Sequence, residues 1–381
     1  MSFTLPDGWT GHTLAGLRTK LLNWFDQHQR DLPWRRTATG ERTGTRDAYR
    51  VWVSEVMLQQ TTVAAVVPYF ERFLTALPNV RALAEADEQR VLKLWEGLGY
   101  YRRARHLHAA AKALVAAYGD ALPDDPEAWD ALPGVGRYIL GAVLSQAFDR
   151  PLPIVEANSL RVLARLFGYP GDPREGAGKV WVWGAAEAVL PATRAGDFNQ
   201  ALMELGALVC TPTAPACGAC PVAVNCGAKR SGSQEVIPPK KKPAKITEVA
   251  EVGVVVRDGE RLLLCQRPAD AGRWQNMWEV PHAPRAAGED LGAAAVRVAK
   301  ELTGFDIEPG AEVLTVKHSV TRYAITLVCL EAVVRGGAFV PGGYARGEWV
   351  TPAELAEHPV SSPQRKLMTA LTAPNRQPRL F

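Results

Sequence analysis

The sequence predicts an all-α region over residues 1–235, followed by an α+β domain over residues 248–381. Apolar residues recur at helical spacing in the first region, where alternating strand patterns are scarce. After residue 248 the hydrophobic period changes to two, which is typical of strands. Between the two regions lies VIPPKKKPAKIT, residues 236–247, whose prolines and lysines predict a stiff, basic linker. The length of 381 residues agrees with two or three domains at about 150 residues each.

The composition indicates a soluble globular protein and says little about its partners. The hydrophobic fraction is 47% and the charged fraction is 22%, which excludes wholesale disorder. A net charge of +4 does not by itself predict binding to nucleic acid. The sequence contains no apolar run of about 18 residues, so it predicts no membrane span. The first residues, MSFTLPDGWTGHT, lack the pattern of a secretory signal, so we expect a cytoplasmic protein.

Helices are predicted in order along the first region. Leu14, Leu17, Leu21 and Phe25 lie at helical spacing and predict a first helix that ends before Pro33. The same spacing returns between residues 107 and 118, before a glycine that suits a helix C-terminus. Further helical runs are predicted around 51–77, 82–96, 135–148, 157–167, 179–190 and 197–209.

Strands and turns dominate the predictions for the second region. Val252, Val254 and Val256 alternate before an Asp-Gly turn at 258–259, which predicts a hairpin. A second β region is expected at 312–334, and a helix at 289–302 is expected to end at Gly304. TPAE, residues 351–354, predicts a capped helix with proline at its first position.

Four of the six cysteines lie close together, with the spacing C-x6-C-x2-C-x5-C, at Cys210, Cys217, Cys220 and Cys226. In a reducing compartment such a cluster predicts a metal centre rather than disulfides. From ligand chemistry alone, four thiolates suit structural zinc and an iron–sulfur cluster about equally. The spacing resembles the loop of the endonuclease III and MutY branch of DNA glycosylases. That resemblance implies a [4Fe–4S] cluster held by residues 210–226, serving structure and DNA contact.

A glycine-rich turn, LPGVG at 132–136, lies between two predicted helices. Gly134 and Gly136 allow a close backbone approach, and the free N–H groups of the next helix favour an anion such as a DNA phosphate. An ordinary helix–helix connection is the simpler interpretation. The longer string LPGVGRY, followed by an apolar helix and EAN at 156–158, resembles the helix–hairpin–helix of the same superfamily. Members that also cleave the DNA backbone have a Schiff-base lysine where this chain has Tyr138, so the resemblance implies a monofunctional glycosylase.

Glu55 is the first candidate acid. It stands among apolar residues in WVSEVMLQQT at 52–61, and burial would raise its pKa and let it donate a proton. The simpler interpretation is a glutamate on the polar face of an amphipathic helix. The string SEVMLQQT closely resembles the catalytic helix of the MutY family, whose glutamate protonates the target adenine.

Glu156 is the second candidate acid, and it departs from the family pattern. The family usually has aspartate there, whereas this chain has IVEAN at 154–158. The resemblance implies that Glu156 stabilises the oxocarbenium-like sugar, with Tyr138 and Asn158 supporting the geometry. Pairing with the dipole of the helix that follows is the alternative role for Glu156.

The resemblance also implies residues that extrude the base and hold it. The positions that fill or prop open the DNA helix are Gln60, Thr61 and Tyr100. The positions that form the adenine pocket are Arg30, Leu32, Trp34 and Gln200. Plain burial in the core is the alternative for the two apolar members, since large apolar side chains are usually buried.

The second region resembles a Nudix fold in RVAKELTG at 297–304 and GEWV at 347–350. Active Nudix enzymes hold magnesium at a diphosphate with several glutamates on one helix. Glu289 and Glu301 remain here, but Val298 and Leu302 occupy positions where acids are expected. We therefore expect a binding role rather than diphosphate hydrolysis.

In the MutY family this domain recognises 8-oxoguanine through a Phe-Ser-His motif. The corresponding residues are VTR at 320–322, after a histidine and a serine, so the phenylalanine and histidine of the motif are lost. The implied lesion-recognition residues are His318, Thr321 and Arg322.

Taken over nearly the whole chain, the resemblance is to the MutY family of adenine DNA glycosylases. It implies a monomeric bacterial enzyme, associated with the nucleoid, that binds duplex DNA and no membrane. The implied reaction is hydrolytic removal of adenine opposite 8-oxoguanine or guanine. Two other functions stay open: a relative acting on another damaged base or with lyase activity, and, because of Glu156, a damage-binding protein with a weakened site.

Overall fold

The computed structural model describes residues 3–6, 8–36, 46–240 and 245–373. The chain divides into two compact units, one formed by Met1–Glu85 and Ala109–Lys242, the other by Ala86–His108 and Pro243–Phe381. The second unit therefore includes a segment from inside the predicted helical region. The contacts of that segment within the unit include an ion pair of Arg365 with Glu96 at 2.5 Å and a hydrogen bond from the Trp278 indole to Gln89 at 2.9 Å.

The described part of residues 3–240 is helical, as predicted. Its helices are α1 Gly11–His28, α2 Ala48–Leu58, α3 Val63–Ala76, α4 Val80–Glu85, α5 Glu88–Trp95, α6 Arg102–Tyr118, α7 Pro126–Asp130, α8 Arg137–Phe148, α9 Ala157–Phe167, α10 Gly176–Val189, α11 Ala195–Leu208 and α12 Gly227–Arg230. Helix α5 and residues 102–108 of α6 belong to the second unit. None of the helices in the described ranges combines the length and apolarity needed to cross a bilayer.

Two predicted helical runs are each divided in the structure. The run at 51–77 becomes α2 and α3, because Thr62 caps α3 by accepting the N–H of Ala65. The run at 82–96 becomes α4 and α5, because Asp87 caps α5 through the N–H of Gln89. Short polar side chains that bond to backbone N–H groups end the preceding helix more strongly than apolar spacing continues it.

The core of the first unit confirms the predicted face of α1. Leu14, Leu17, Leu21 and Phe25 are all buried, and they pack in one cluster with residues of α9, α10 and α11. The start of the predicted linker is fixed to this unit, because Arg165 donates to the carbonyl of Ile237 at 2.7 Å. Residues 241–244 of that linker lie outside the described residues.

The second unit contains a mixed sheet. Its strands are β1 Thr247–Asp258, β2 Arg261–Gln266, β3 Trp278–Glu279, β4 His282–Pro284, β5 Asp306–Val320, β6 Tyr323–Gly336 and β7 Arg346–Val350. Within the described residues the order is β3-β2-β1-β6-β5, with β4 paired to β1 and β7 paired to β2. The β1–β6 pair is parallel and the others are antiparallel. The predicted hairpin at 258–259 is confirmed, since Asp258 pairs with Arg261.

Two helices cover the two faces of the sheet. Helix α13 Leu291–Thr303 packs on the face that carries Val252, Val254 and Val256, and Gly304 ends it with φ 77°. Helix α14 Ser362–Leu371 packs on the opposite face. The helix predicted after TPAE is only a 3-10 turn, Glu354–Ala356, although Glu354 accepts the N–H of Thr351 at 2.7 Å as the capping pattern predicts.

Candidate active site

Glu55 lies on α2, against α8, and is 1% exposed. Tyr138, the second residue of α8, donates its hydroxyl to Glu55 Oε2. Gln146, two turns later on α8, donates Nε2 to Glu55 Oε1 at 2.9 Å. Both carboxylate oxygens are therefore hydrogen-bonded inside the protein, and the interpretation of Glu55 as a residue on a polar helix surface is wrong.

Burial raises the pKa of the Glu55 carboxyl above its ordinary value. The hydrogen bonds from Tyr138 and Gln146, and the positive charge of Arg35, act in the opposite direction. A carboxyl with a raised pKa keeps its proton at higher pH than an ordinary glutamate. Such a group is suited to general acid catalysis.

Glu156 is the N-cap of α9. Its Oε1 accepts the N–H groups of Asn158 at 2.8 Å and Ser159 at 2.7 Å, and Asn158 Nδ2 donates to Oε2 at 3.2 Å. Burial raises the pKa of Glu156, while the two backbone hydrogen bonds and the charge of Arg161 lower it. This place at the helix N-terminus agrees with the alternative role, pairing with the dipole of α9, and the hydrogen bonds hold the carboxylate in one orientation.

The two carboxylates belong to one electrostatic group with Tyr138. The charge of Glu55 raises the pKa of Glu156, and both charges raise the pKa of the Tyr138 phenol, after burial as the largest cause. The fold thus brings together three residues separated by 83 and 18 positions in the sequence. Two nearby carboxyl groups favour states in which only one of them is ionised.

The predicted pocket residues Arg30 and Gln200 are joined by an ion-pair network around Glu204. Arg30 binds Glu204 through Nε at 2.8 Å and Nη2 at 2.9 Å, and Arg35 binds it at 2.9 Å. Gln200 accepts Arg35 Nε at 2.9 Å. Burial opposes ionisation of Glu204, but the two guanidinium groups outweigh it and lower its pKa to about 2. The network also adjoins Glu55, since Arg35 lowers the pKa of that carboxyl.

The two apolar pocket candidates are buried. Leu32 is 7% exposed, and Trp34 is 2% exposed with its ring edge-to-face on Phe70 at 5.4 Å. Their interpretation as core residues fits this packing. Their position next to Arg30 and Arg35 in the chain also fits a pocket wall.

The glycine-rich turn joins α7 to α8, which confirms the predicted helix–turn–helix arrangement. Gly134 has φ 75°, in the left-handed region that favours glycine, and Gly136 is the N-cap of α8 without a side-chain cap. The first N–H groups of α8 are therefore available to an anion.

Gln60 and Thr61 lie in the same unit. Gln60 has φ 59° and is exposed between α2 and α3, and Thr61 follows it.

The cysteine loop follows α11. All four thiols are free and partly buried, and Cys220 is electrostatically coupled to the other three. Burial, with a smaller effect of these neighbours, raises the pKa of Cys220 to about 11. Within the described ranges, no three or more His, Cys, Asp or Glu side chains are grouped so that they could hold a metal ion. An all-thiol donor set in one loop fits an iron–sulfur cluster by its chemistry.

The remaining predicted residues belong to the second unit. Tyr100 is 51% exposed with φ 49°, and the Arg103 guanidinium lies over its ring at 5.5 Å. Thr321 and Arg322 form the exposed turn between β5 and β6. His318 differs, because it is half-buried on β5 and its pKa is lowered by burial, near Glu251 and His282.

Both remaining Nudix-type glutamates are ion-paired. Arg297 binds Glu289 at 2.8 Å and Glu301 at 3.3 Å, and Val298 is fully buried against the sheet. Glu289, just before α13, and Glu301, within it, therefore both bind the guanidinium of Arg297.

Three residues that bind Glu55 or lie in the adjoining ion-pair network were not predicted from the sequence: Gln146, Arg35 and Glu204. Gln146 could have been found, because it lies two turns after Tyr138 on a largely apolar helix. Arg35 and Glu204 gave no such signal, since arginine and glutamate are usually exposed and only the fold buries them together.

Comparison with known proteins follows this division of the chain. Residues 53–183 match the family described as HhH-GPD superfamily base excision DNA repair protein, and residues 251–370 match the NUDIX domain. The adenine DNA glycosylase of Homo sapiens is 33% identical over 409 residues, which cover 93% of this chain and 73% of the human protein.

The chain belongs to the adenine DNA glycosylase family.

As a member of this family, it is a DNA N-glycosylase that removes adenine in base excision repair. A second relative, the adenine DNA glycosylase of Buchnera aphidicola subsp. Schizaphis graminum, is 34% identical over 263 residues, covering 69% of this chain and 73% of that protein. The solved structure of a thermostable thymine-DNA glycosylase is similar over 58% of this chain and 98% of its own, with 26% identity and a TM-score of 0.50.

Proposed function

We propose that this adenine DNA glycosylase acts on duplex DNA, as a monomer, and removes adenine paired with 8-oxoguanine or guanine. The observation that carries the catalytic part is the buried Glu55 with Tyr138 and Gln146 on its two oxygens. A carboxyl with a raised pKa, coupled to a second carboxyl, is the arrangement that glycosyl cleavage requires.

The proposed reaction divides the work between the two carboxyl groups. Glu55 donates its proton to a ring nitrogen of the extruded adenine, which makes the base a better leaving group. As the glycosidic bond breaks, positive charge develops on the deoxyribose. Glu156, held as an acceptor by the N-terminus of α9 and by Asn158, stabilises that charge. Water then adds to the sugar carbon and passes its proton to the Glu55 carboxylate, which restores the acid.

The remaining site residues position the substrate. Arg30, Leu32, Trp34 and Gln200 enclose the adenine, and Glu204 fixes the two guanidinium groups of this region. Gly134 and Gly136 present backbone N–H groups to a phosphate. Gln60, Thr61 and Tyr100 fill the space that the extruded base leaves in the DNA helix.

Cys210, Cys217, Cys220 and Cys226 are proposed to hold a [4Fe–4S] cluster, which supplies structural cross-linking of the loop when bound. On the protein side, Arg161 and Arg165 fix this loop to α9 through the Cys210 carbonyl, at 2.7 Å and 3.3 Å. The loop is thereby connected to the helix that carries Glu156.

The C-terminal domain is proposed to recognise the base opposite adenine through His318, Thr321 and Arg322. The exposed turn favours Thr321 and Arg322 for direct contact, because both residues are exposed there. His318 is half-buried, so its proposed role is to support the turn from β5.

Alkali treatment after incubation tests the proposed function. A duplex with adenine opposite 8-oxoguanine should become cleavable by hot alkali at the adenine, and an adenine–thymine duplex should stay intact. Borohydride should trap no covalent adduct, because Tyr138 cannot form an imine. Tight binding without an alkali-labile site would favour a damage-binding protein, and a trapped adduct would favour a lyase.

A further inference from the structure

A cleft of about 690 Å³ in the first unit extends from the proposed reaction site. It runs along α9 and is bounded by α10, by the cysteine loop at Pro212 and Thr213, and by residues 235–240. One of its lining residues is Glu156. Ligand sites are typically about 300–1,000 Å³ and largely apolar with a few polar groups, and this cleft agrees with both properties.

Positive charge predominates along the cleft. Its charged side chains are the basic Arg161, Arg165, Arg174, Lys179 and Lys240 and the acidic Glu156 and Glu235. The three arginines are fixed by protein acceptors; for example, Arg174 donates to the Pro239 carbonyl at 2.5 Å and to Asp172 at 2.7 Å. They form a rigid basic wall, so these side chains need not move when an anion binds beside them.

The two lysines differ from the arginines. Lys179, on α10, and Lys240 are both exposed, and among the described residues no carboxylate forms an ion pair with either ammonium group. One turn after Lys179, Trp183 forms a wall of the cleft and lies under the Arg137 guanidinium at 4.0 Å. Arg137 directly follows Gly136, so this contact connects a wall of the cleft to the start of α8.

We propose that the cleft binds phosphodiester groups of the strand that carries the target adenine, on one side of that nucleotide. This proposal rests on the proposed function, which places the target deoxyribose at Glu156. The next phosphodiester of the same strand is covalently attached to that sugar, so it must lie near the cleft that opens from Glu156. Lys179 and Lys240 are the phosphate contacts, and the fixed arginines add a positive field.

Salt dependence of DNA binding tests the two lysines. The variants are Lys179→Gln, Lys240→Gln and their combination, with Lys20→Gln as the control because Lys20 is an exposed lysine of α1 outside the cleft. The duplex has a 2′-fluoro group on the target nucleotide, which slows glycosyl cleavage during the measurement. Each single cleft variant should reduce the steepness of log affinity against log salt by about 0.9. Between 50 and 200 mM salt, the affinity of the double variant should therefore fall roughly tenfold less than that of the unsubstituted protein.

Duplexes with one neutral methylphosphonate linkage locate the contact. Neutralising one or two linkages next to the target, on one side only, should abolish the effect of the lysine variants. The proposal is overturned if the lysine variants lose the same affinity on every neutralised duplex. It is also overturned if they lose no more affinity than Lys20→Gln does. Adenine release by the unsubstituted protein tests the proposed function independently, so a failure of either is distinguishable.

Discussion

The hydroxyl of Tyr138 binds Glu55 Oε2, so a phenol that cannot form an imine serves as a hydrogen-bond donor to the buried carboxyl. The same phenol lies in the field of Glu156. Tyr138 thus connects the two carboxyl groups of the proposed reaction. Its place at the start of α8 follows from the glycine turn before it.

Glu55→Gln should reduce adenine release by about 10²–10⁴-fold, because the amide cannot donate the proton that a general acid supplies. DNA affinity should remain within about threefold, since the variant keeps the size of the side chain. Single-turnover release and a binding titration measure the two effects. Glu85→Gln, which removes only a surface carboxylate paired with Arg81, is the control and should release adenine at the normal rate. Normal release by Glu55→Gln would contradict the acid assignment.

Tyr138→Phe should move the alkaline limb of the rate profile to higher pH. Glu55 acts in its protonated form, so the rate falls as pH rises through its pKa. The Tyr138 hydrogen bond lowers that pKa, and removing the bond therefore raises it. Gln146→Met should shift the limb in the same direction, because Gln146 also donates to Glu55. A limb that stays in place in both variants would show that another group controls it.

Glu156→Gln should lose about 10²-fold or more of the rate, because a neutral amide cannot stabilise the sugar cation. Glu156→Asp should keep the activity within about tenfold, since aspartate also caps helices and retains the charge. Glu156→Ala should in addition lower the free energy of unfolding by about 1 kcal/mol through loss of the α9 cap. Single-turnover kinetics and urea unfolding measure these effects. Equal rates of adenine release by the Gln and Asp variants would show that Glu156 acts only as the cap of α9.

Glu204→Gln should lower the free energy of unfolding by about 3–5 kcal/mol, because it leaves the buried Arg35 without its carboxylate partner. In the unsubstituted protein, the folded pKa of about 2 lies below the unfolded value of about 4.3. The contribution of this group is therefore present above about pH 5 and is lost as pH falls toward 2. Urea unfolding across this pH range measures both effects, with the surface variant Glu85→Gln expected to change stability by under about 1 kcal/mol.

Purified protein should be brown, with broad visible absorption and about four iron atoms per chain. Cys220→Ser should lose iron and colour, because it removes one of the four thiols proposed to hold the cluster. Cys329→Ala is the matched variant, since Cys329 lies in the sheet of the second unit and its iron content should not change. A colourless protein containing zinc would refute the cluster.

Local sequence was sufficient for the elements that local chemistry controls. The face of α1, the β1–β2 hairpin and the end of α13 at Gly304 all followed from residue spacing and turn residues. The divided helices show its limit, because one capping side chain at Thr62 or Asp87 outweighed continuous apolar spacing. Glu55 shows the same limit for the site: its pattern fitted an exposed helix face as well as a buried acid.

The sequence by itself determined the two regions, the cysteine loop and the family motifs that contain Glu55 and Glu156, because each is a contiguous string. Only the tertiary structure decided which side chains donate hydrogen bonds to Glu55 and that Arg30, Arg35 and Glu204 form one ion-pair network. It also decided that Ala86–His108 belongs to the same compact unit as the C-terminal domain. These are contacts between residues distant along the chain. Charged side chains are buried only when the fold supplies partners that offset the loss of water, and no local pattern records where those partners come from.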